Sequence, residues 1–326
     1  MVSSRSPTLF VVCAITLLCS VVLAAPPAPH RPIVLWHGMG DSCCNPESMG
    51  AVKAFLEEEL PGVYVRSIMI GDNEEEDRRA GFFGVVKDHV ERVCEELRAD
   101  PNLRAGFNAI GFSQGGQFFR SYVERCNDPA VHNLLTFGSQ HAGVSEWPGC
   151  KDEHDATCTL ARALLLKGAY LHWVQRRVVQ AQYYKDMKNE EAYLEKNIFL
   201  PDLNNEKGVK NEGYKKNLMS LNKLVLIMFE SDQTVVPKET SWFAYWNATG
   251  SLIPLHDQPL YKQDWLGLQE MDKKGQLVFD KITGAHMQID IEYLRNTVVP
   301  KYLKDDKWGK DEEDVVVEAP RIVVQA

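Results

Sequence analysis

The chain lacks a long basic block, internal repeats, low-complexity tracts and zinc-type Cys/His spacing. The missing basic block, together with a formal net charge of −9 at pH 7, argues against nucleic acid or an anionic membrane surface as the main partner. The other absences exclude a solenoid and a structural zinc module. Beyond the first 25 or so residues, no stretch is apolar and long enough to span a bilayer. What remains is ordinary: 44% hydrophobic and 25% charged residues in 326. That suits one large α/β domain or two smaller ones.

What is present at the N-terminus is a leader. Arg5 precedes the apolar run TLFVVCAITLLCSVVLAA, which ends in small residues and then PPAPH. A basic start, an apolar centre and a small-residue exit predict a secretory signal over residues 1–25, cut after Ala24 or Ala25; a retained signal anchor is the alternative. Of 8 cysteines, Cys13 and Cys19 fall in the leader, leaving Cys43, Cys44, Cys94, Cys126, Cys150 and Cys158. An even number entering an oxidising compartment predicts disulfides. Cys150 and Cys158 enclose a polar loop, and Cys94 and Cys126 lie on flanking helices. Bridging the adjacent Cys43 and Cys44 would strain the usual geometry, so spacing alone leaves the connectivity open. Asn247-Ala248-Thr249 is a glycosylation sequon.

Short apolar runs alternate with helical periodicity along the chain. Strands are predicted at 31–36, 63–70, 107–112, 134–138, 224–229 and 276–280, and helices at 48–60, 81–98 and 115–125. This alternation predicts an α/β fold, with a mostly parallel central sheet covered by helices on both faces. Between 139 and 223 no strand pattern occurs. A long helix is predicted over 160–184, and the stretch reads as a largely helical insertion in a catalytic domain spanning 26–304. Residues 305–326 turn acidic and are expected to form a mobile tail.

One short stretch carries chemistry. In GFSQGG, Gly111 and Gly115 stand two residues either side of Ser113, with Gly116 beyond. Glycine costs backbone entropy on folding, so such spacing suggests a bend too sharp for side chains. A strand before and a helix after make this the setting of a nucleophile elbow. A serine hydroxyl needs a base, and in α/β-hydrolases the chain order is Ser, then Asp or Glu, then His. Asp232 follows the buried strand 224–229, at the end of a parallel sheet where catalytic groups gather. Asp202, Asp257 and Asp264 follow no such strand. His286 stands in the small-residue loop TGAHM after strand 276–280, whereas His256 sits in a Pro-flanked loop. The predicted triad is Ser113–Asp232–His286. Donors for an oxyanion are predicted from the backbone N–H of Gln114 and of Met39, the latter in the HGMG loop after the first strand. His37 reads as a structural residue rather than a base.

At these residues the sequence resembles the lysosomal palmitoyl-protein thioesterases. The matching stretches are WHGMGDSCCNP from Trp36, NAIGFSQGGQFFR from Asn108, Gln140-His141, Gly143, YKKNLM from Tyr214, LGLQEMD from Leu266 and GQLVF from Gly275. They run from about residue 32 to about residue 303. The resemblance implies an α/β-hydrolase that removes long-chain acyl groups, typically palmitoyl, from S-acylated cysteines through an acyl-serine. It puts the nucleophile on Ser113, the acid on Asp232, the base on His286 and the oxyanion amides on Met39 and Gln114. It further implies an acyl-chain groove built partly by the insertion, and disulfides Cys43–Cys44, Cys94–Cys126 and Cys150–Cys158. No metal or organic cofactor is implied.

Expected partners are S-palmitoylated proteins and acyl thioesters such as palmitoyl-CoA, with no nucleic acid and no stable membrane span after signal cleavage. The expected location is the secretory pathway, then lysosome, vacuole or cell exterior. Sequons expected near Asn197, Asn211 and just before Asp232 are absent, the chain reading Asn197-Ile-Phe, Asn211-Glu-Gly and Glu230-Ser-Asp232. A glycan at Asn247 is the one the sequence predicts. The acidic tail also has no counterpart in the family pattern. A lipase or oxygen-ester carboxylesterase would carry the same triad, and a non-catalytic lipid-binding protein would keep the fold; no residue distinguishes a sulfur ester from an oxygen ester.

Overall fold

The computed structural model describes residues 29–147, 155–165, 167–305 and 308. The leader at 1–25, Cys150 and nearly all of the acidic tail lie outside these residues. The described strands are β1 (Ile33–Trp36), β2 (Val65–Ser67), β3 (Phe107–Phe112), β4 (Val131–Phe137), β5 (Lys223–Phe229), β6 (Tyr245–Trp246), β7 (Leu252–Ile253) and β8 (Leu277–Ile282). Six of them form one wholly parallel sheet in the order β2-β1-β3-β4-β5-β8, and β6 and β7 make a separate antiparallel hairpin that carries Asn247 at its turn.

The strands read as unbroken apolar runs because both sheet faces are buried. In β5, Leu224 and Leu226 face one core, while Val225, Ile227 and Phe229 face the other. The same two-residue alternation divides Val34 and Trp36 from Ile33 and Leu35 in β1. Helix α1 (Met49–Glu59) and the C-terminal helical segment 291–303 cover one face. Helices α2 (Glu74–Ala80), α3 (Val86–Ala99) and α4 (Gln114–Arg125) follow, with α3 and α4 on the other face. The chain therefore winds in opposite directions from the neighbours β1 and β3. The carboxyl ends of those two strands bound the crevice where open α/β sheets place their sites.

Besides β4, which starts at Val131 rather than at 134, three elements differ from the sequence reading. The strand expected over 63–70 shrinks to three residues. The helix expected over 81–98 starts at Val86, and the unforeseen α2 precedes it. The long helix expected over 160–184 is broken into Ala156–Leu165, His172–Gln175 and a 3-10 turn at Val179–Tyr183. Gly168 turns the chain between the first two with φ of +135°. Of the apolar face expected on the long helix (Leu164, Leu171, Val174, Val178 and Ala181), the last three pack into one buried cluster with Leu164 partly buried against it, whereas Leu171 is exposed. Periodicity there reported most of the burial, not continuity of a helix. Beyond these pieces the described residues up to β5 form short helices, including Glu190–Lys196 and Glu212–Leu218, and no strand.

Cys94 of α3 is bonded to Cys126 at the end of α4, and Cys43 to Cys44. Cys150, the expected partner of Cys158, lies outside the described residues. Asn197, which the family resemblance would have glycosylated, is buried and fully engaged. Its amide donates to the carbonyls of Ala181 and Tyr184, and its oxygen accepts from Phe199 and Leu200.

Candidate active site

The turn between β3 and α4 explains the glycines. Ser113 holds φ of 52° and ψ of −123°, a conformation that costs an L-residue energy and persists only where its surroundings enforce it. A Cβ on Gly111 would lie 2.3 Å from the Gly116 Cα, and one on Gly115 would lie 2.3 Å from the Trp36 carbonyl oxygen. One on Gly116 would meet the Ser139 Oγ at 2.1 Å. The two strand ends and the helix approach too closely for any side chain. The Ser113 N–H donates to the Phe137 carbonyl at 2.7 Å, tying the elbow to β4.

Asp232 follows β5 in a turn whose backbone is tied to the loop carrying His286, the Ser231 N–H donating to the Gly284 carbonyl at 3.0 Å. Its carboxylate is wholly buried and its partners are complete. Oδ1 accepts from the N–H groups of Thr234 and Val235 at 2.8 and 3.0 Å, and Oδ2 lies 2.6 Å from the His286 Nδ1. The carboxylate holds the imidazole hydrogen on Nδ1, which leaves Nε2, 3.0 Å from the Ser113 Oγ, to accept from the hydroxyl. The ring's edge rests near Phe229, with centroids 5.9 Å apart. A chain of this geometry can draw the proton from Ser113 as its oxygen attacks a carbonyl carbon. The rival residues stand elsewhere: Asp202, Asp264 and Asp257 pair with Arg125, Lys215 and Lys262, and His256 lies against Asp272.

The loop after β1 runs against the serine, since a Cβ on Gly38 would lie 3.1 Å from the Ser113 Cβ. No hydrogen-bond acceptor meets the Met39 or Gln114 backbone N–H among the described residues. The insertion steadies Gln114. Its side-chain amide donates to the Gly81 carbonyl at 3.1 Å, the Tyr183 hydroxyl donates to its Oε1 at 3.3 Å, and Gln180 donates to the same Gly81 carbonyl. Apolar side chains flank Met39. A narrow crevice beside it is walled by Phe82, Ala161 and Leu165.

Sequence reasoning missed Asp77. It sits on α2, which went unrecognised although Asn73 caps it before a run of acids, the usual mark of a helix start. The fully buried carboxylate accepts from the Ile70 and Cys43 N–H groups at 2.7 and 2.8 Å and lies 3.0 Å from the His37 Nε2. The His37 Nδ1 is 2.8 Å from the Gly38 carbonyl oxygen. Both ring nitrogens therefore face acceptors, the arrangement of an imidazolium. Burial alone would pull the His37 pKa down; the hydrogen bond to Asp77, that carboxylate's charge, the Gly38 carbonyl and Asp41 outweigh it and raise the pKa above 6.5.

A histidine pKa raised by folding adds stability that is fully present below the unfolded value and disappears as the pH climbs through the folded one. The Tm gap between the wild type and His37→Gln is therefore expected to be widest below about pH 6.5 and to narrow at higher pH. Thermal melts from about pH 5 to about pH 8.5 test it. A gap independent of pH would mean that the pair is not charged.

A parallel sheet that presents a serine on a strand–helix elbow, facing the ends of two further strands, defines the α/β-hydrolase class. Sequence comparison narrows this. The model of the family described as Palmitoyl protein thioesterase matches residues 32–286. Palmitoyl-protein thioesterase 1 of Caenorhabditis elegans is 44% identical over 273 residues, covering 83% of this chain and 91% of that protein. Palmitoyl-protein thioesterase 3 of Dictyostelium discoideum is 35% identical, covering 84% and 93%. Lysosomal thioesterase PPT2 of Homo sapiens is 26% identical, covering 84% and 88%. The chain belongs to the palmitoyl protein thioesterase family.

Proposed function

We propose that this protein hydrolyses long-chain acyl thioesters on the S-acylated cysteines of proteins, through a covalent acyl-Ser113 intermediate. The observation that carries the proposal is the unbroken chain Asp232–His286–Ser113, at 2.6 and 3.0 Å, in a member of this family. His286 takes the hydroxyl proton on Nε2 as Ser113 attacks the thioester carbonyl carbon. The N–H groups of Met39 and Gln114 donate to the oxyanion that forms. The C–S bond breaks, the leaving sulfur takes the proton from the His286 Nε2 and departs as a thiol, and the acyl group stays on Ser113 beside a neutral imidazole. Water, deprotonated by the same imidazole, then releases the fatty acid and restores the serine. Asp232, held by two backbone N–H groups, stabilises the imidazolium in both half-reactions.

The apolar wall beside Met39 supports a long acyl chain. Phe82, Ala161 and Leu165 present carbon surface next to an oxyanion donor, where the chain on an acyl-serine begins. Comparing kcat/KM for palmitoyl-CoA, acetyl-CoA and a palmitoyl oxygen ester tests the reading. The palmitoyl thioester is expected to lead acetyl-CoA by at least about tenfold, since the acyl chain contributes through buried methylenes, and to lead the oxygen ester because a thiolate leaves more readily than an alkoxide. Equal or faster cleavage of the oxygen ester would make the protein a carboxylesterase instead. Passage through the secretory pathway fits the leader and the Cys43–Cys44 and Cys94–Cys126 disulfides. Among the described residues no helix is long and apolar enough to cross a membrane.

A further inference from the structure

The net charge of −9 describes the whole chain and hides a local reversal. From Ala156 to Lys185 there is no aspartate or glutamate. Arg162, Lys167, Arg176 and Arg177 in that stretch are all exposed, and none has an ion-pair partner among the described residues. Asp155, the described carboxylate just before the stretch, is taken by Arg78 at 2.9 Å. Between these cations stand Leu171 and Trp173, both at 43% exposure, and Leu160, at 50%, comes two residues before the first. They are three of the six strongly exposed large apolar side chains among the described residues, gathered in 14 residues of sequence. Isolated surface leucines need no explanation, but apolar groups and a tryptophan interleaved with unpaired cations have the composition of a bilayer-surface element.

The other side of the same stretch faces the candidate site. Ala161, Leu165, Val174 and Val178 belong to the apolar cluster that Met39 and Phe82 join, and Arg162 borders the crevice beside Met39. Of the exposed side chains, Arg162 thus adjoins the place where an acyl chain would enter. We propose that residues 160–177 dock on a bilayer surface bearing anionic lipid, so that an acyl chain leaving the bilayer passes directly to the crevice beside Met39. This rests on the acyl-thioesterase reading for its purpose, though docking itself can be measured without turnover. Arg176 and Arg177 supply attraction that acts over about a Debye length, and Leu171 and Trp173 supply apolar contact at the interface.

The test is flotation of the full mature chain with vesicles of phosphatidylcholine alone or with about 30% phosphatidylserine. The wild type is expected to float with the anionic vesicles and to be released by salt. R176E/R177E and L171S/W173S are each expected to weaken that partitioning by about tenfold or more while melting like the wild type. Both should cleave a short, water-soluble acyl thioester at the wild-type rate and lose rate on a palmitoylated peptide embedded in the vesicles. Ser113→Ala should float as the wild type does, which separates docking from catalysis. Failure of the wild type to float, or equal flotation of all variants, overturns the proposal. So does self-association through this face without vesicle binding. Failure of the thioesterase reading would show instead in the soluble-substrate comparison, with flotation unchanged.

Discussion

Ser113→Ala is expected to lower kcat on a palmitoyl thioester by about 10⁴–10⁶-fold, and to end labelling by a fluorophosphonate, while leaving Tm nearly unchanged. The size follows from the geometry. With Oγ removed, the Nε2 of His286 at 3.0 Å has nothing to activate, and only binding and the oxyanion amides remain. The fold has no need of the hydroxyl. The bend at Ser113 is enforced by its neighbours, because Gly111, Gly115 and Gly116 allow contacts that no Cβ could share. Alanine can take the same backbone. His286→Ala and Asp232→Asn are expected to lose comparable activity, and double variants no more than the worst single one, since the three act as a unit. Retained turnover in Ser113→Ala would mean that another group attacks the thioester, and would remove the proposed mechanism.

The largest expected loss of stability comes from Arg120→Met, at about 3–5 kcal/mol or roughly 10 °C in Tm. Arg120 is fully buried on α4, and its guanidinium holds four separate structures together. It donates to the Glu124 carboxylate at 2.8 Å, to the His141 carbonyl at 3.1 Å and ring at 3.2 Å, to the Asn204 Oδ1 at 2.7 Å, and lies over the Phe243 ring. Methionine would fill the space but leave Glu124 as a buried carboxylate without its cation.

Burial already pushes the Glu124 pKa up to about 7, against the pull of Arg120. An acid whose pKa rises on folding opposes the fold once the pH exceeds its unfolded value, and the penalty lifts as the pH falls and the carboxyl takes a proton. The deficit of Arg120→Met is therefore expected to be smaller at about pH 5 than at about pH 8. Adding Glu124→Leu should recover much of it. Denaturant melts of the two variants at both pH values test this, and a deficit independent of pH would place the loss in the other contacts.

Much of this molecule is legible in local pattern. Strand β3 reads off the sequence at its full length because six consecutive residues bury both faces, and a run of that kind has one stable home, a parallel sheet. Ser113 stands out because three glycines crowd it, and Asp232 and His286 because each follows an apolar strand. Other features stay hidden for physical reasons. The stretch 160–184 looks like one helix because its apolar residues recur at helical spacing, and a kinked path through Gly168 buries most of them, Val174, Val178 and Ala181 among them, while leaving Leu171 exposed. Asp77 looks like one acid among several in EEEDRRA. Nothing near it in sequence announces that its partners are His37, Cys43 and Ile70.

The chain by itself determined the alternation of strands and helices, the burial of both sheet faces and the bend at Ser113, because each follows from side-chain size and polarity over a few residues. Tertiary structure alone decided that the Ser113 hydroxyl meets an imidazole 173 residues away, that this imidazole meets a carboxylate 54 residues before it, and that Arg162 borders the crevice beside Met39. Those outcomes depend on strand order, register and loop length acting together. Hydrogen bonds of about 3 Å tolerate errors of only a few tenths of an ångström, a precision no local pattern carries.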